Sequence, residues 1–367
     1  MQPVLRACLL ALALAVAATP LAADGKHKII IDQDARGPAT TDLQAVLVLV
    51  QSPEVEPLGV TVVSGDQWRD EEVAHTIRLL EIIGRPDIPV VPGAIFPLIN
   101  SREEIKRWEK LYGEVTYQGA WNEGKDLGYE GVWNRGIYYG PYEMPPLPEG
   151  EPTTKPADEH AANFIVRMVH KYPGEVTIYA GGPLTNLALA IALDPEVPKL
   201  AKELVVMGAA INPRWKQLEY VPTSRREFNF WWDPEAVHIV LRAPWRQITV
   251  TPVDISIKTH LSKAMIAEIG KSDSPAAQYM AKWSDEEYMW DELAAVAWLY
   301  PEIVRATESL YMGINIDHGV GYGDTVVWAE GTNPGLGEQE VTILKEVDIE
   351  KFYELFIELI TSPTPEP

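Results

Sequence analysis

Short apolar runs alternate with amphipathic stretches along most of the chain, and the alternation predicts strands leading into helices. Residues 28–31 read as a short strand ending at Asp32, and 43–50 as the start of a helix. Residues 58–63 predict a second buried strand, 71–83 a helix with Val73, Ile77 and Leu80 at helical spacing, and 88–91 a third strand. After Pro92-Gly93 the pattern dissolves into a long irregular insertion, residues 96–156. It resumes with helix 160–170, strand 176–180, helix 184–193, strand 204–206, helix 234–241 and strand 248–250. Asp348 stands ready to cap a last helix, 349–360. Strand–helix alternation of this kind predicts an α/β fold with a mostly parallel open sheet flanked by helices. Its ligand site is expected beyond the carboxyl ends of the strands. No composition shift marks a boundary, so residues 24–361 read as one domain carrying 96–156 as an inserted lid, with 362–367 as a disordered tail.

The first residues do not belong to that pattern. Arg6 gives a positive start, residues 7–18 are continuously apolar, and Thr19-Pro20 and Leu21-Ala22-Ala23 supply a break and small residues. This is the form of a secretory signal peptide spanning residues 1–23, too short in its apolar part to cross a bilayer. Export to the periplasm or the medium is therefore expected. Cutting after Ala22 or Ala23 removes Cys8, the only cysteine, and with it any disulfide or thiol nucleophile. The net charge is −22, and loss of Arg6 makes it one unit more negative. Such a chain repels phosphate, which argues against nucleic acid polymers and anionic membranes as partners and in favour of a small molecule.

The chemistry concentrates after the first strand. Asp32-Gln33-Asp34 follows it directly, and Asp42 comes eight residues beyond Asp34, with Gly37 and Pro38 between them. Converging carboxylates repel, and a hard divalent cation relieves the repulsion; calcium suits a flexible cage of oxygen ligands. An Asp-rich loop that merely caps the next helix accounts for the same residues.

Several later segments add to this. Ile29-Ile30-Ile31-Asp32-Gln33-Asp34, then 58–66 ending Ser64-Gly65-Asp66, then Gly181-Gly182-Pro183-Leu184-Thr185-Asn186, occur in one order along the chain. Val205-Val206-Met207-Gly208, Glu227-Phe228-Asn229, Trp232-Asp233-Pro234-Glu235 and Trp290-Asp291 follow them. Together these segments resemble the inosine–uridine type nucleoside hydrolases, and the resemblance runs from about residue 28 to 360. It implies a Rossmann-like fold, a homo-oligomer, and hydrolysis of the N-glycosidic bond of a ribonucleoside. It further implies a calcium ion held by Asp34, Asp42, Asp291 and the backbone carbonyl of Gly181. Asp34 would be the general base on the attacking water, Glu227 and Asn229 would hold ribose hydroxyls, and Met207 would floor the pocket. The expected transition state is oxocarbenium-like.

The chain departs from the family pattern in the loop before Asp42, which is longer and carries Thr41 where a second aspartate is usual. Asp66 stands where Asn is frequent, a candidate substitute for the missing ribose-gripping carboxylate. Trp290 occupies the place of a leaving-group histidine, so it can stack on a base but not protonate it. The remaining histidines offer no clear replacement: His75, His160, His170 and His238 fall on predicted helices, and His260 and His318 in less regular segments. The insertion holds Tyr117, Trp121, Tyr129, Trp133, Tyr138, Tyr139 and Tyr142, of which Trp121 and Trp133 are candidate stacking partners for a base. Two rival readings follow. A haloacid-dehalogenase type phosphatase shares the Asp-x-Asp but would need a phosphate-gripping Thr or Ser and a Lys that form no convincing set here. An exported nucleoside- or sugar-binding protein would keep the pocket without turnover.

Overall fold

A computed structural model describes residues 25–115, 117–122, 139–211 and 225–366. The leader and Tyr129, Trp133 and Tyr138 lie outside those residues. Six strands lead from the amino terminus through the parallel part of the sheet: β1 (His27–Gln33), β2 (Val55–Val62), β3 (Val90–Pro92), β4 (Val176–Ala180), β5 (Glu203–Met207) and β6 (Ile248–Thr251). A two-stranded ribbon, β7 (His260–Leu261) with β8 (Glu287–Tyr288), stands apart. The chain then adds β9 (Val304–Ile314), β10 (Thr325–Trp328) and β11 (Gln339–Val347) to the main sheet, whose order is β10-β9-β11-β6-β5-β4-β1-β2-β3.

All pairs from β3 across to β11 are parallel, and only β11–β9 and β9–β10 are antiparallel. The expected α/β class is therefore the observed one. The antiparallel edge lies in a region where the sequence pattern predicts no strands. β9 alternates exposed and half-buried residues with few fully buried ones, so it lacks the continuous apolar run of a central strand.

Apolar residues on the two faces of the sheet build two cores. Ile29 and Ile31 point into one with helices Thr41–Gln51 and Trp290–Leu299, and Ile30 into the other with helices Ala161–Lys171 and Thr185–Leu193. Every residue of helix Thr41–Gln51 is buried. The chain runs outward from β1 in one direction through β2 and β3, and in the other through β4, β5 and β6. This reversal opens a crevice at the carboxyl ends of β1 and β4, where a ligand is accommodated in open sheets. Asp348 caps helix Ile349–Thr361 by accepting from the Lys351 N–H. Beyond that helix, the Ser362 and Pro365 carbonyls accept from Gln51 and Arg85. Among the described residues, no helix is long and apolar enough to cross a membrane.

The insertion is more ordered than its sequence pattern predicts. It contains helix Arg102–Tyr112, capped by the Ser101 hydroxyl, which accepts from the Glu104 N–H. Only Ile105 of that helix is buried, so there is little apolar stripe to read.

Candidate active site

Asp32 and Asp34 end β1 side by side but do different work. Asp32 Oδ1 accepts from Thr61 Oγ1 at 2.6 Å and Asn186 Nδ2 at 2.8 Å, tying β1 to β2 and to the Gly-Gly-Pro-Leu-Thr-Asn segment. Burial raises its pKa to about 6 despite those bonds. Asp34 Oδ2 accepts from the Asp66 N–H at 3.0 Å, while its Oδ1 is buried with no partner. Two glycines admit this side chain. A Cβ on Gly65 would fall 2.1 Å from Asp34 Oδ2, and one on Gly182 would fall 2.6 Å from Oδ1.

Asp42 and Asp291 each sit in the first turn of a helix, Thr41–Gln51 and Trp290–Leu299, where the N-terminal dipole favours a carboxylate. They lie within hydrogen-bonding reach of each other. Asp42 Oδ2 also accepts from Thr40 Oγ1 at 2.8 Å, and Asp291 Oδ1 is buried without a partner. Asp42 does not cap its helix: the N-cap is Thr40, which makes no side-chain cap bond. Burial pushes Asp34, Asp42 and Asp291 well above the ordinary carboxylate range, and repulsion among them and from Asp66 pushes further. Asp66 is raised by burial too, but the Arg36 guanidinium and a hydrogen bond with Tyr117 pull it back.

The opposite wall comes from β5 and helix Phe228–Trp232. Glu227 caps that helix, accepting from Asn229 N at 2.8 Å and Phe230 N at 3.0 Å, and also from Ala209 N at 3.1 Å. Burial still raises it to about 7. Asn229 Nδ2 donates to the carbonyls of Gly181 at 2.6 Å and Met207 at 3.2 Å, so its side-chain oxygen is the atom left for another partner. The Gly181 carbonyl retains a second lone pair. Met207 is buried at the end of β5. Trp290 is half-buried beside Asp291, its ring 4.9 Å from Tyr288 at 39°.

Thr41 is the informative departure. Its hydroxyl donates to Glu292 Oε2 at 2.7 Å and accepts from the Asp291 N–H at 3.1 Å, so it pins one helix start to the other. The Thr41 N–H bonds to Glu287, which also takes Gln44 Nε2 at 2.7 Å. Glu287, Glu292 and the buried Glu72 form a second rank of acids behind the first, all raised by burial. The sequence reading missed them; the only signal for Glu292 was its position next to Asp291.

The aromatic candidates separate. Trp121 is buried and stacks on Trp232, centroids 3.8 Å apart at 20°, so one of its faces packs the insertion onto helix Phe228–Trp232. Tyr142 is exposed, and the Tyr139 carbonyl accepts from Trp68 Nε1. Tyr117 reaches Arg36 and Asp66 instead. His75 is buried against Glu149, and His160 caps helix Ala161–Lys171 by accepting from Ala162 N. His318 stacks on Tyr322.

Two orphaned carboxylate oxygens among like charges, with a main-chain carbonyl nearby, are hard oxygen donors in excess of their hydrogen-bond partners. That donor set fits a divalent cation. Among the described residues no three carboxylate or imidazole groups already close round one point, so the fit lies in donor chemistry and not in a finished cage.

A profile of inosine-uridine preferring nucleoside hydrolases matches residues 29–354. Uridine nucleosidase 1 of Arabidopsis thaliana is 30% identical, covering 89% of this chain and 91% of that protein. The pyrimidine-specific ribonucleoside hydrolase RihA of Photobacterium profundum is 28% identical, covering 91% and 98%. A solved plant nucleoside hydrolase superposes with a TM-score of 0.71 at 25% identity, covering 92% of this chain and 99% of that one. A purine-preferring ribonucleoside hydrolase of Gardnerella vaginalis has the same fold, TM-score 0.71, at 22% identity. With the acids of both helix starts gathered at the sheet's switch point and a family profile spanning nearly the whole described chain, this protein belongs to the inosine–uridine preferring nucleoside hydrolases, enzymes that hydrolyse N-glycosyl compounds.

Proposed function

We propose that the protein cleaves a ribonucleoside to free base and ribose with calcium as its cation. The observation that carries the reading is Asp34: a buried carboxylate at the carboxyl end of β1, one oxygen fixed by the Asp66 N–H and the other without a partner. Asp34, Asp42, Asp291 and the Gly181 carbonyl would hold the ion. When bound, it supplies a positive anchor for sugar hydroxyls and makes water easier to deprotonate. Asp34, buried at the end of β1 with one oxygen free of protein partners, is placed to take the proton of the water that attacks the anomeric carbon. As the C–N bond breaks, the acids around the sugar stabilise the positive charge that develops on it. Glu227 and the Asn229 side-chain oxygen would hold hydroxyls from the far wall, over Met207, with Trp290 available to stack on the departing base.

The relatives named for uridine and pyrimidine nucleosides make uridine the first substrate to try. Reducing-sugar release across a nucleoside panel, with calcium and with excess chelator, tests the reading. Calcium-dependent release that disappears in Asp34→Ala and Asp291→Ala supports it; no release from a folded, calcium-binding protein sinks it. That second result would favour the sugar-binding protein, a reading supported by Thr41, whose hydroxyl is committed to Glu292 and the Asp291 N–H. We further propose export after cleavage of residues 1–23, checked by the mass of the secreted protein, and a homo-oligomer, checked by light scattering.

A further inference from the structure

The extra length of the loop between Asp34 and Asp42 brings a cation into an acidic pocket. Arg36 Nη1 lies 3.8 Å from Asp66 Oδ2 and donates to the Tyr117 hydroxyl oxygen at 3.2 Å, and the Tyr117 hydroxyl bonds to the Asp66 carboxylate. The Arg36 and Asp66 side chains are each only 15% exposed, so this is not a solvated surface pair. Asp66 is fixed in turn to Asp34 through its own N–H. Three segments therefore meet at one carboxylate: the lengthened loop, the turn after β2, and the insertion. The insertion is hooked there by the Ala120 N–H, which donates to the Gly65 carbonyl at 2.9 Å, and by Phe228, whose ring meets Tyr117 edge-on at 4.9 Å.

The charges decide what such an arginine does. A divalent cation held by Asp34, Asp42 and Asp291 compensates those three acids and leaves Asp66 facing them. Arg36 is attractive to Asp66, to Asp42 and to Glu287. Thr41 meanwhile stands where the family carries a ribose-gripping aspartate, and its hydroxyl is committed behind the pocket. Asp66 is the carboxylate of the pocket that Arg36 and Tyr117 hold in place.

We propose that Arg36 and Tyr117 are positioning residues that hold Asp66 as the sugar-hydroxyl acceptor replacing the carboxylate absent at position 41. Arg36 acts through Asp66 and does not touch the substrate. The inference rests on the pocket being a ribonucleoside site, so its test includes ribose binding as well as turnover.

Arg36→Met, Arg36→Lys, Tyr117→Phe, Asp66→Ala and the double variant Arg36→Met/Asp66→Ala are compared with the unaltered protein. Calorimetry measures ribose and calcium binding separately, and base release gives KM and kcat. Arg36→Met should weaken ribose binding and raise KM about tenfold to a hundredfold, the range for losing a charge-assisted hydrogen bond. Calcium affinity should hold or rise, because a positive charge has left the neighbourhood of Asp34. Arg36→Lys should recover much of the loss, and Tyr117→Phe should cost about three- to tenfold. With Asp66 already Ala, Arg36→Met should add less than about twofold, since coupled residues are not additive. An equal loss in both backgrounds, no loss at all, or calcium binding lost together with ribose binding overturns the proposal. If the unaltered protein binds ribose but releases no base, hydrolysis fails while the binding arm still tests Arg36. If it releases base and the double variant shows no coupling, only the Arg36 inference falls.

Discussion

An aspartate at position 41, where the sequence resemblance places a second acid, should damage this protein. The Thr41 hydroxyl lies 2.7 Å from Glu292 Oε2 and 3.1 Å from the Asp291 nitrogen, with the Thr41 N–H on Glu287. Glu292 is fully buried, and its Oε1 has no partner. An ionised aspartate there has no hydrogen to give, so two carboxylates would face each other at about 3 Å, worth roughly 5 kcal/mol of repulsion at an effective dielectric near 20. Burial already raises Glu292, so the added acid would keep a further proton instead. The folded state then holds a proton that the unfolded chain releases above its ordinary carboxylate range. The deficit therefore grows with pH by up to about 1.4 kcal/mol per unit until that proton leaves. Urea unfolding in chelator should place Thr41→Asp about 3–5 kcal/mol below the unaltered protein at pH 8, and about 1–2 kcal/mol below it at pH 5. Thr41→Val should lose about 2 kcal/mol from its missing hydrogen bonds, with less dependence on pH. Adding Glu292→Gln to Thr41→Asp supplies a donor and should recover most of the loss. If Thr41→Asp unfolds within about 1 kcal/mol of the unaltered protein at pH 8, or its deficit does not change with pH, the account of Thr41 is wrong.

Gly182→Ala should lower kcat about a hundredfold while the fold survives, because its Cβ would fall 2.6 Å from Asp34 Oδ1 and displace it; kinetics with circular dichroism checks this. Glu149→Ala should destabilise by about 2 kcal/mol, measured by urea unfolding, since it leaves Nδ1 of fully buried His75 without its hydrogen-bond partner. Asp32 and Asp233, raised to about 6, and Glu227, raised to about 7, hold protons in the folded state that the unfolded chain has released. Their joint contribution is fully present below about pH 4 and is lost as pH rises to about 7, so the melting temperature should fall across that window. Glu81, lowered to about 2, acts in the opposite sense below that window.

The parallel half of the fold was readable because its strands are buried on both faces and read as apolar runs between amphipathic helices. β1, β4 and β6 begin or end within a residue or two of their predicted bounds. The antiparallel edge was not readable, because β9 and β11 expose one side and carry charges there. Of the residues gathered at the candidate site, Asp34, Asp42, Asp291, Glu227 and Asn229 could be named in advance, since each lies in a recognisable short segment. Glu72 and Glu287 sit in ordinary charged stretches, where burial is not visible in the residue pattern. Arg36 escaped, and Tyr117 was visible only as one of seven insertion aromatics, for a different reason. Their relation to Asp66 spans 30 and 51 positions and exists only once the insertion has folded onto the Gly65 turn.

The bond between Thr41 and Asp291 joins residues 250 positions apart, and it welds together the two helix starts that present Asp42 and Asp291. In a growing or refolding chain, β1, β2 and β3 can pair long before the helix beginning at Trp290 arrives. Until it does, the cradle lacks a side. If Asp42 and Asp291 hold the cation as proposed, the capacity to bind it should emerge last in the order of assembly, as a seal on the finished fold and not as a template for it. A chain cut just before Trp290 would keep β1 to β6 and lack Asp291, one of the ligands proposed for the ion.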